Sequence, residues 1–213
     1  MKRLIYIAVF SFFFYPGLCQ PAKDYYDKGF NLFNNHDFKG AIENFSKAIE
    51  IDPSIEQAYE SRGTARYNMN DFKGALSDFD KAAELLYSGS VQINNPNLFS
   101  IRGLAKIELT DFAGAIEDIT TAIDQSKSNE IKFFVQRANA KYFLRDYEGA
   151  VSDCDIAINS LSDIKTVKAE AYFWRGLSKV FSGGKTEEGC LDLKKSAESG
   201  YANAKEAIKR YCQ

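Results

Sequence analysis

One six-residue pattern returns four times along the chain at intervals close to 34 residues. It consists of aspartate, an aromatic residue, a variable residue, glycine, alanine and an aliphatic residue, and it occupies 37–42, 71–76, 111–116 and 146–151. The successive copies are 34, 40 and 35 residues apart. Self-similarity at a period of roughly 20–50 residues indicates a stack of similar supersecondary units. The chain is therefore expected to repeat one local structure and to bury its core between the copies.

Each copy of the pattern predicts a pair of amphipathic helices, because apolar residues return every three or four positions on both sides of it. Gly63 and Ala75 are small residues at the predicted crossing of one pair, where Phe79 and Ala82 would pack. The aspartate of each pattern is suited to cap the second helix. A single pair cannot bury its apolar face alone, so the pairs are expected to stack on one another.

This period, with its small and aromatic marks, resembles the tetratricopeptide repeat (TPR) from about residue 22 to residue 197. The resemblance implies an all-α fold, a right-handed TPR superhelix of about five helix pairs with a C-terminal capping helix. The repeats would span about 22–55, 56–89, 96–129, 131–164 and 169–200, and the capping helix 202–212. The second and third repeats are separated by six extra residues of loop composition. The fifth repeat is degenerate, since Gly189 stands where the alanine of the crossing would be.

The first 19 residues are predicted to be a signal peptide. Lys2 and Arg3 precede an uncharged run over 4–15, followed by a turn and small residues, which is typical of a secretory leader. The run is shorter than the ~20 apolar residues of a membrane span. Cleavage after Cys19 would export the protein to the periplasm or the extracellular space. An uncleaved anchor, or a lipid-anchored form through Cys19 in the envelope, remains the alternative.

An arginine in the first helix and an aspartate in the second accompany each other in four repeats. The arginines are Arg62, Arg102, Arg137 and Arg175, and the aspartates are Asp78, Asp118, Asp153 and Asp192. The first repeat has Lys28 and Asn44 at these two positions, so both positions change together. We interpret them as a structural ladder, since the planar guanidinium can hold a carboxylate with two hydrogen bonds. The alternative is a set of independent, solvated charges.

Cys190 and Cys212 flank the turn at 199–201 at nearly equal distances in the sequence. A helix hairpin folded at that turn would bring both thiols to the same end, where an oxidising compartment would favour a disulfide. The alternative is two buried thiols. Cys154 takes the place of the aromatic residue at the helix crossing and is predicted to be a small core residue.

No enzyme, cofactor site or metal site is predicted. His36 is the single histidine, which excludes a site built from several histidines. Gly184 precedes Lys185 and Thr186 as at the end of a phosphate-binding loop, but Lys179 stands where that loop needs its first glycine. The net charge is -2 and no basic stripe is present, so nucleic acid is not expected as a partner.

The TPR resemblance implies that the first helices line a concave groove that holds an extended peptide or a partner's helix. Carried over by position, the groove residues are Tyr26, Phe30, Phe33, Glu60, Thr64, Tyr67, Ser100, Leu104, Ile107, Val135, Asn139, Tyr142, Phe173 and Leu177. Exposed aromatic anchors are typical of binding hot spots, although some of these side chains must instead pack neighbouring first helices together. The basic clamp by which chaperone co-factors of this family hold a C-terminal carboxylate is absent: its positions carry Tyr26, Phe30, Ser61, Asn97 and Ile101.

The chain resembles small exported bacterial TPR proteins of the Arg-Gly variant. The resemblance implies a protein–protein interaction module or scaffold, in the cell envelope or outside the cell, that binds a peptide or partner protein through its groove. The alternative function is a binding protein for a small or polymeric ligand, such as a glycan or a peptide fragment. That alternative predicts a closed pocket with convergent polar groups.

Overall fold

The computed structural model describes residues 19–88, 94–126, 130–161, 164–184 and 186–212. Residues 1–18, which hold most of the predicted signal peptide, lie outside this part, so the domain boundary at residue 19 stays a prediction. The described residues form eleven helices and no strand, which confirms the all-α fold class. The helices are α1 (Cys19–Asn34), α2 (Phe38–Ile51), α3 (Glu56–Asn68), α4 (Phe72–Ser88), α5 (Pro96–Glu108), α6 (Phe112–Gln125), α7 (Ile131–Phe143), α8 (Tyr147–Asn159), α9 (Lys165–Phe181), α10 (Thr186–Glu198) and α11 (Ala202–Tyr211).

The first ten helices form five hairpins that stack in chain order. Helix α1 pairs with α2, α3 with α4, α5 with α6, α7 with α8 and α9 with α10. The second helix of each hairpin contacts the first helix of the next, and the first helices α1, α3, α5, α7 and α9 contact one another in sequence. This pattern of nearest-neighbour contacts is that of a superhelical solenoid.

The two helices of each hairpin cross where a small residue faces a larger one. A Cβ atom added to Gly63 would lie 2.7 Å from the Phe79 ring and 3.2 Å from the Ala75 carbonyl oxygen. Ala75 and Phe79 are fully buried, as the sequence predicted. In the fourth hairpin Ala138 replaces the glycine and Cys154 replaces the aromatic residue, both fully buried. The larger Ala138 is therefore accompanied by a smaller side chain opposite it. Cys154 is a core residue, as predicted.

The turn inside the first four hairpins has one geometry. The predicted aspartate caps the second helix: Asp111, for example, accepts a hydrogen bond from the Gly114 amide at 3.0 Å. The residue before the aspartate takes a left-handed backbone, with φ of 62–64° at His36, Asn70, Thr110 and Arg145. That conformation lets two amides bond the last carbonyls of the first helix, and glycine would be the usual residue for it. None of the four residues is glycine, so a left-handed residue was not predicted at this position.

Helix α11 closes the C-terminal end of the stack. Ala204 and Ala207 are buried in one core cluster with Leu177 and Leu193. A disulfide joins Cys190 to Cys212, with their Cα atoms 5.6 Å apart, so the predicted pairing is present. Within the described ranges, no helix combines the length and the hydropathy that a membrane crossing requires.

Candidate functional site

The ladder arginines face the ladder aspartates in all four hairpins that carry them. Each arginine donates from Nε and Nη2 to the two carboxylate oxygens of its aspartate at 2.5–3.0 Å. The aspartates are only 2–4% exposed. This is the two-pronged geometry that suits guanidinium and carboxylate.

A second cation, which the sequence interpretation missed, completes each pair. The side chains of Arg66, Lys106, Lys141 and Lys179 lie 2.8–2.9 Å from the aspartate of their own hairpin. Each stands four residues after the ladder arginine, and residues four apart share one face of a helix. This repeated basic position was the signal that could have revealed them.

The same arginines also connect neighbouring hairpins. Nη1 of Arg62, Arg102, Arg137 and Arg175 donates to the second helix of the preceding hairpin, on Ser46, Asp80, Thr120 and Asp155 respectively. Each guanidinium lies 5.2–5.7 Å from the centre of an aromatic ring one turn earlier on its own helix. The first hairpin has no such pair: Lys28 is exposed and the Asn44 amide donates to the Gly40 carbonyl at 2.8 Å. The ladder is thus an internal brace whose charges are already paired.

The predicted groove residues divide into two sets. Phe30 is 46% exposed, and the partly buried members are Tyr26, Phe33, Glu60, Thr64, Tyr67, Leu104, Ile107, Asn139 and Tyr142. Ser100, Val135, Phe173 and Leu177 are buried, at 1–7% exposure. Assigning these four residues to an exposed partner surface was wrong, because neighbouring helices of the stack and of its C-terminal end cover their side chains. Ser100 donates to Gln136 on α7 at 2.7 Å, and the other three belong to the core cluster that α11 covers.

A cleft of about 180 Å³ opens between the first helices of the first two hairpins. Phe30 and Phe33 of α1 form one wall, and Glu60, Ser61 and Thr64 of α3 form the other. The Tyr26 ring stacks on Phe30 at a centroid distance of 6.3 Å. We call this feature the N-terminal cleft.

Two glutamates stand beside the N-terminal cleft. Glu60 accepts a hydrogen bond from the Asn95 amide at 2.8 Å, across the junction between the second and third hairpins. Glu56, one turn earlier on α3, is 9% exposed, and its Oε1 has no hydrogen-bond partner among the described residues. Burial, and then the charge of Glu60, raise the pKa of Glu56 to about 7. Ile131 and Ala169 fill the equivalent positions of later hairpins, so the carboxyl occupies a place that is otherwise apolar.

Aromatic side chains gather at the other end of the concave side. Phe143 and Phe181 are 49% and 41% exposed, and the Tyr142 ring lies between them at 5.3 and 6.0 Å. Neither phenylalanine was among the predicted groove residues, because the carried-over positions end one residue before Phe143, at Tyr142, and four residues before Phe181, at Leu177. Their regular place at the end of a first helix was the available signal.

A cavity of about 700 Å³ lies against the disulfide, beside helix α10. Its lining includes Glu187, Glu188, Leu191 and Lys194, of which all four are exposed. The part of the chain that the structure describes holds no group of three or more His, Cys, Asp or Glu placed to bind a metal ion.

Comparison with known proteins gives a family match and several similar structures. Residues 22–55 match the family described as "Tetratricopeptide repeat". No curated protein sequence matches the chain. The crystal structure of MamA protein is 20% identical with a TM-score of 0.71, over 87% of this chain and 95% of that one. The crystal structure of YrrB, described as a TPR protein with an unusual peptide-binding site, is 20% identical with a TM-score of 0.71, over 88% and 92% of the two chains.

A shorter structure aligns with part of the solenoid. The first TPR of Spaghetti (RPAP3), bound to the HSP90 peptide SRMEEVD, is 21% identical with a TM-score of 0.53, over 59% of this chain and 97% of that one. At these identities the likenesses show the shared fold. The family match itself covers the first hairpin, whose six-residue pattern recurs in the next three hairpins.

Proposed function

Because the chain is a tetratricopeptide-repeat protein, we propose that it is a protein-interaction module that binds an extended segment or a helix of a partner protein along its concave side. One observation carries this proposal. The shared geometry of the last four hairpins pairs the ladder charges internally, yet the concave side leaves Phe30, Phe143 and Phe181 between 41% and 49% exposed. Exposed aromatic side chains on a rigid scaffold supply large contact area, as binding hot spots do.

The size of the N-terminal cleft supports a peptide more than a free small molecule. Sites that enclose drug-sized ligands measure about 300–1,000 Å³, whereas this cleft measures about 180 Å³. Such a volume suits one side chain of a longer segment that continues along the groove.

The similar structures support the same class of function. YrrB is described as having a peptide-binding site, and the RPAP3 domain is bound to an HSP90 peptide. The positions of the carboxylate clamp hold Tyr26, Phe30, Ser61, Asn97 and Ile101 here. None of these is cationic, so we propose that the partner is held by an internal segment and not by its terminal carboxylate.

We further propose that the protein acts after export, in the periplasm or outside the cell. The leader pattern over residues 1–19 supports export, and so does the Cys190–Cys212 disulfide, since disulfides persist in oxidising compartments. Cell fractionation with sequencing of the mature N-terminus tests this: an N-terminus at Gln20 supports cleavage, and lipid on Cys19 would favour the anchored form.

The function is tested by affinity capture with crosslinking from the native envelope fraction. The bait protein is compared with Phe30→Ala and Phe143→Ala in the groove, and with Ile156→Ala as a control. Ile156 is 45% exposed but lies on a second helix, α8. Loss of one partner protein from both groove variants, with retention by the control, is the expected result. Equal capture by all variants would contradict the groove proposal.

The second candidate function is a binding protein for a small or polymeric ligand. The cavity of about 700 Å³ beside the disulfide favours it by volume alone, which falls in the range of ligand sites; its exposed lining differs from the closed pocket that this function predicts. If only small molecules or glycans co-purify with the protein, and Lys194→Ala lowers their yield, this second function replaces the first.

A further inference from the structure

We propose that the N-terminal cleft is a subsite for the side chain of an arginine or lysine in the partner's extended segment. This inference rests on the proposed function, and it adds the chemistry by which one part of the groove selects its partner. Two features of the described residues carry it: the pair Glu56 and Glu60, which has no cation beside it and of which Glu56 is buried, and the aromatic walls of the cleft.

Among the described residues, the glutamates at this cleft lack the paired cations that every ladder aspartate has. Asp78, Asp118, Asp153 and Asp192 each have two cations within hydrogen-bonding distance. Among the described residues, no lysine or arginine forms an ion pair with Glu56 or Glu60. Arg62 and Arg66 on the same helix both turn to Asp78 on α4. Both arginines of helix α3 are thus paired with Asp78, and within the described part of the chain Glu60 lines the cleft without a cation.

Glu56 places a second carboxyl beside Glu60. Its side chain is nine-tenths buried against Glu60 and Asn95, and Oε1 lacks a hydrogen-bond donor. The Glu56 carboxyl has side-chain hydrogen bonds with Glu60 and Asn95, so Oε1 alone lacks a partner among the described residues. A buried polar atom in that position is costly unless a cation or a donor reaches it. A guanidinium or ammonium beside Glu60 would supply that missing positive charge at the position where the two carboxyls meet.

The walls of the cleft suit the rest of a cationic side chain. Long basic side chains lay their aliphatic stems along apolar surface and keep the charged head in a polar place. Phe30 and Phe33 supply that apolar surface, and an aromatic face also attracts a cation. Since one water molecule occupies about 30 Å³ of liquid, a cleft of about 180 Å³ holds the equivalent of one long side chain.

The same features disfavour other occupants. An aspartate, a glutamate or a terminal carboxylate would meet the charge of Glu60 with no cation to offset it. An uncharged apolar side chain would fill the aromatic walls but leave the glutamates uncompensated. The cleft therefore discriminates by charge as well as by shape.

The test uses a library of random nonapeptides with acetylated and amidated ends, so that side chains supply the only cations. The mature protein, immobilised under oxidising conditions, selects peptides from the library, and the selected peptides are sequenced. We expect arginine or lysine to be enriched at one position. Replacing that residue by its uncharged analogue, citrulline or acetyl-lysine, should weaken binding roughly tenfold.

Two matched variants locate the effect. Glu60→Gln keeps an acceptor for the Asn95 amide but removes the charge, and it should lose the roughly tenfold preference for the cationic peptide. Glu108→Gln removes a carboxylate that is exposed on α5 and does not line the cleft, and it should keep the preference. The comparison of charged and uncharged peptides uses the unaltered protein, so its result does not depend on whether the variants fold.

The possible results separate this inference from the proposed function. Selection of peptides with no basic residue, abolished by Phe30→Ala, would overturn the cation subsite and leave the peptide groove standing. A cationic preference that survives Glu60→Gln would also overturn the subsite. If no peptide is selected and no protein is captured from the native fraction, both proposals fall.

Discussion

Replacing Asp118 by asparagine is the sharpest perturbation of the internal brace. Asp118 is 4% exposed, and it accepts from Arg102 at 2.5 and 2.8 Å and from Lys106 at 2.8 Å. Asparagine preserves the shape of the side chain but removes the charge and turns one acceptor into a donor. Two partly buried cations would then lack their anion.

The expected cost follows from burial. Breaking a buried ion pair by removing one partner costs about 3–5 kcal/mol. The side chains of Arg102 and Lys106 remain 16% and 17% exposed, so water reaches them in part. We therefore expect Asp118→Asn to lower the free energy of unfolding by about 3 kcal/mol, the lower end of that range.

Asp80→Asn is the matched control, because Asp80 contacts the same arginine from the surface. Its carboxylate is 3.2 Å from Nη1 of Arg102 and its side chain is 58% exposed. Exposed pairs contribute about 1 kcal/mol or less and are screened by salt. Urea unfolding followed by helical circular dichroism, at low and high ionic strength, measures both variants.

The first hairpin suggests a rescue. There Asn44 occupies the aspartate position and Leu32 occupies the position of the second cation, so an amide is accommodated where that cation is missing. Lys106→Leu added to Asp118→Asn should recover about 1 kcal/mol or more, because it removes one uncompensated ammonium. Equal losses for Asp118→Asn and Asp80→Asn, or no recovery in the double variant, would refute the burial argument.

Three further predictions concern other parts of the molecule. The pKa of Glu56 is raised from 4.5 to about 7 in the folded protein, so its contribution to stability is complete below about pH 4.5 and is lost as pH rises through about 7. Glu56→Gln should remove this pH dependence, worth up to about 3 kcal/mol between about pH 5 and pH 8 in urea unfolding, and an unchanged slope would contradict it. Cys212→Ser opens a disulfide between residues 22 apart and should cost about 3 kcal/mol, with hydrogen exchange accelerated first in α11; unaltered exchange there would exclude a clamping role. Gly63→Ala places a Cβ 2.7 Å from the Phe79 ring and should lower the unfolding free energy by about 1–2 kcal/mol despite the better helix propensity, and a thermal midpoint that rises would disprove the close crossing.

Much of the fold could be predicted because its information is local and repeated. The hairpins, their capping aspartates and the helix crossing follow from a pattern that recurs within about 34 residues. The ladder pair was visible because two positions change together between repeats. The second cation was missed for a different reason. Its position holds arginine in one hairpin and lysine in three, so the positions share a charge but not a residue type.

The groove was harder to predict, because exposure depends on neighbours that are remote in sequence. Val135 and Phe173 have the spacing of groove residues but are buried between adjacent first helices and under α11. Phe143, one residue beyond a predicted position, is 49% exposed. Successive residues of a helix point roughly 100° apart, so a shift of one residue can change a buried side chain into an exposed one. Only the packing of whole hairpins sets how each helix is rotated about its own axis.

The sequence alone determined the repeating helix pair, its caps and the arginine–aspartate pairs of the ladder, since each depends on contacts within one hairpin. The tertiary structure alone decided which aromatic side chains stay exposed and that Glu56 lies in an otherwise apolar position beside Glu60. The physical reason is that periodicity specifies which face of a helix is apolar, whereas the surface removed from water depends on how far the next hairpin and the capping helix cover that face.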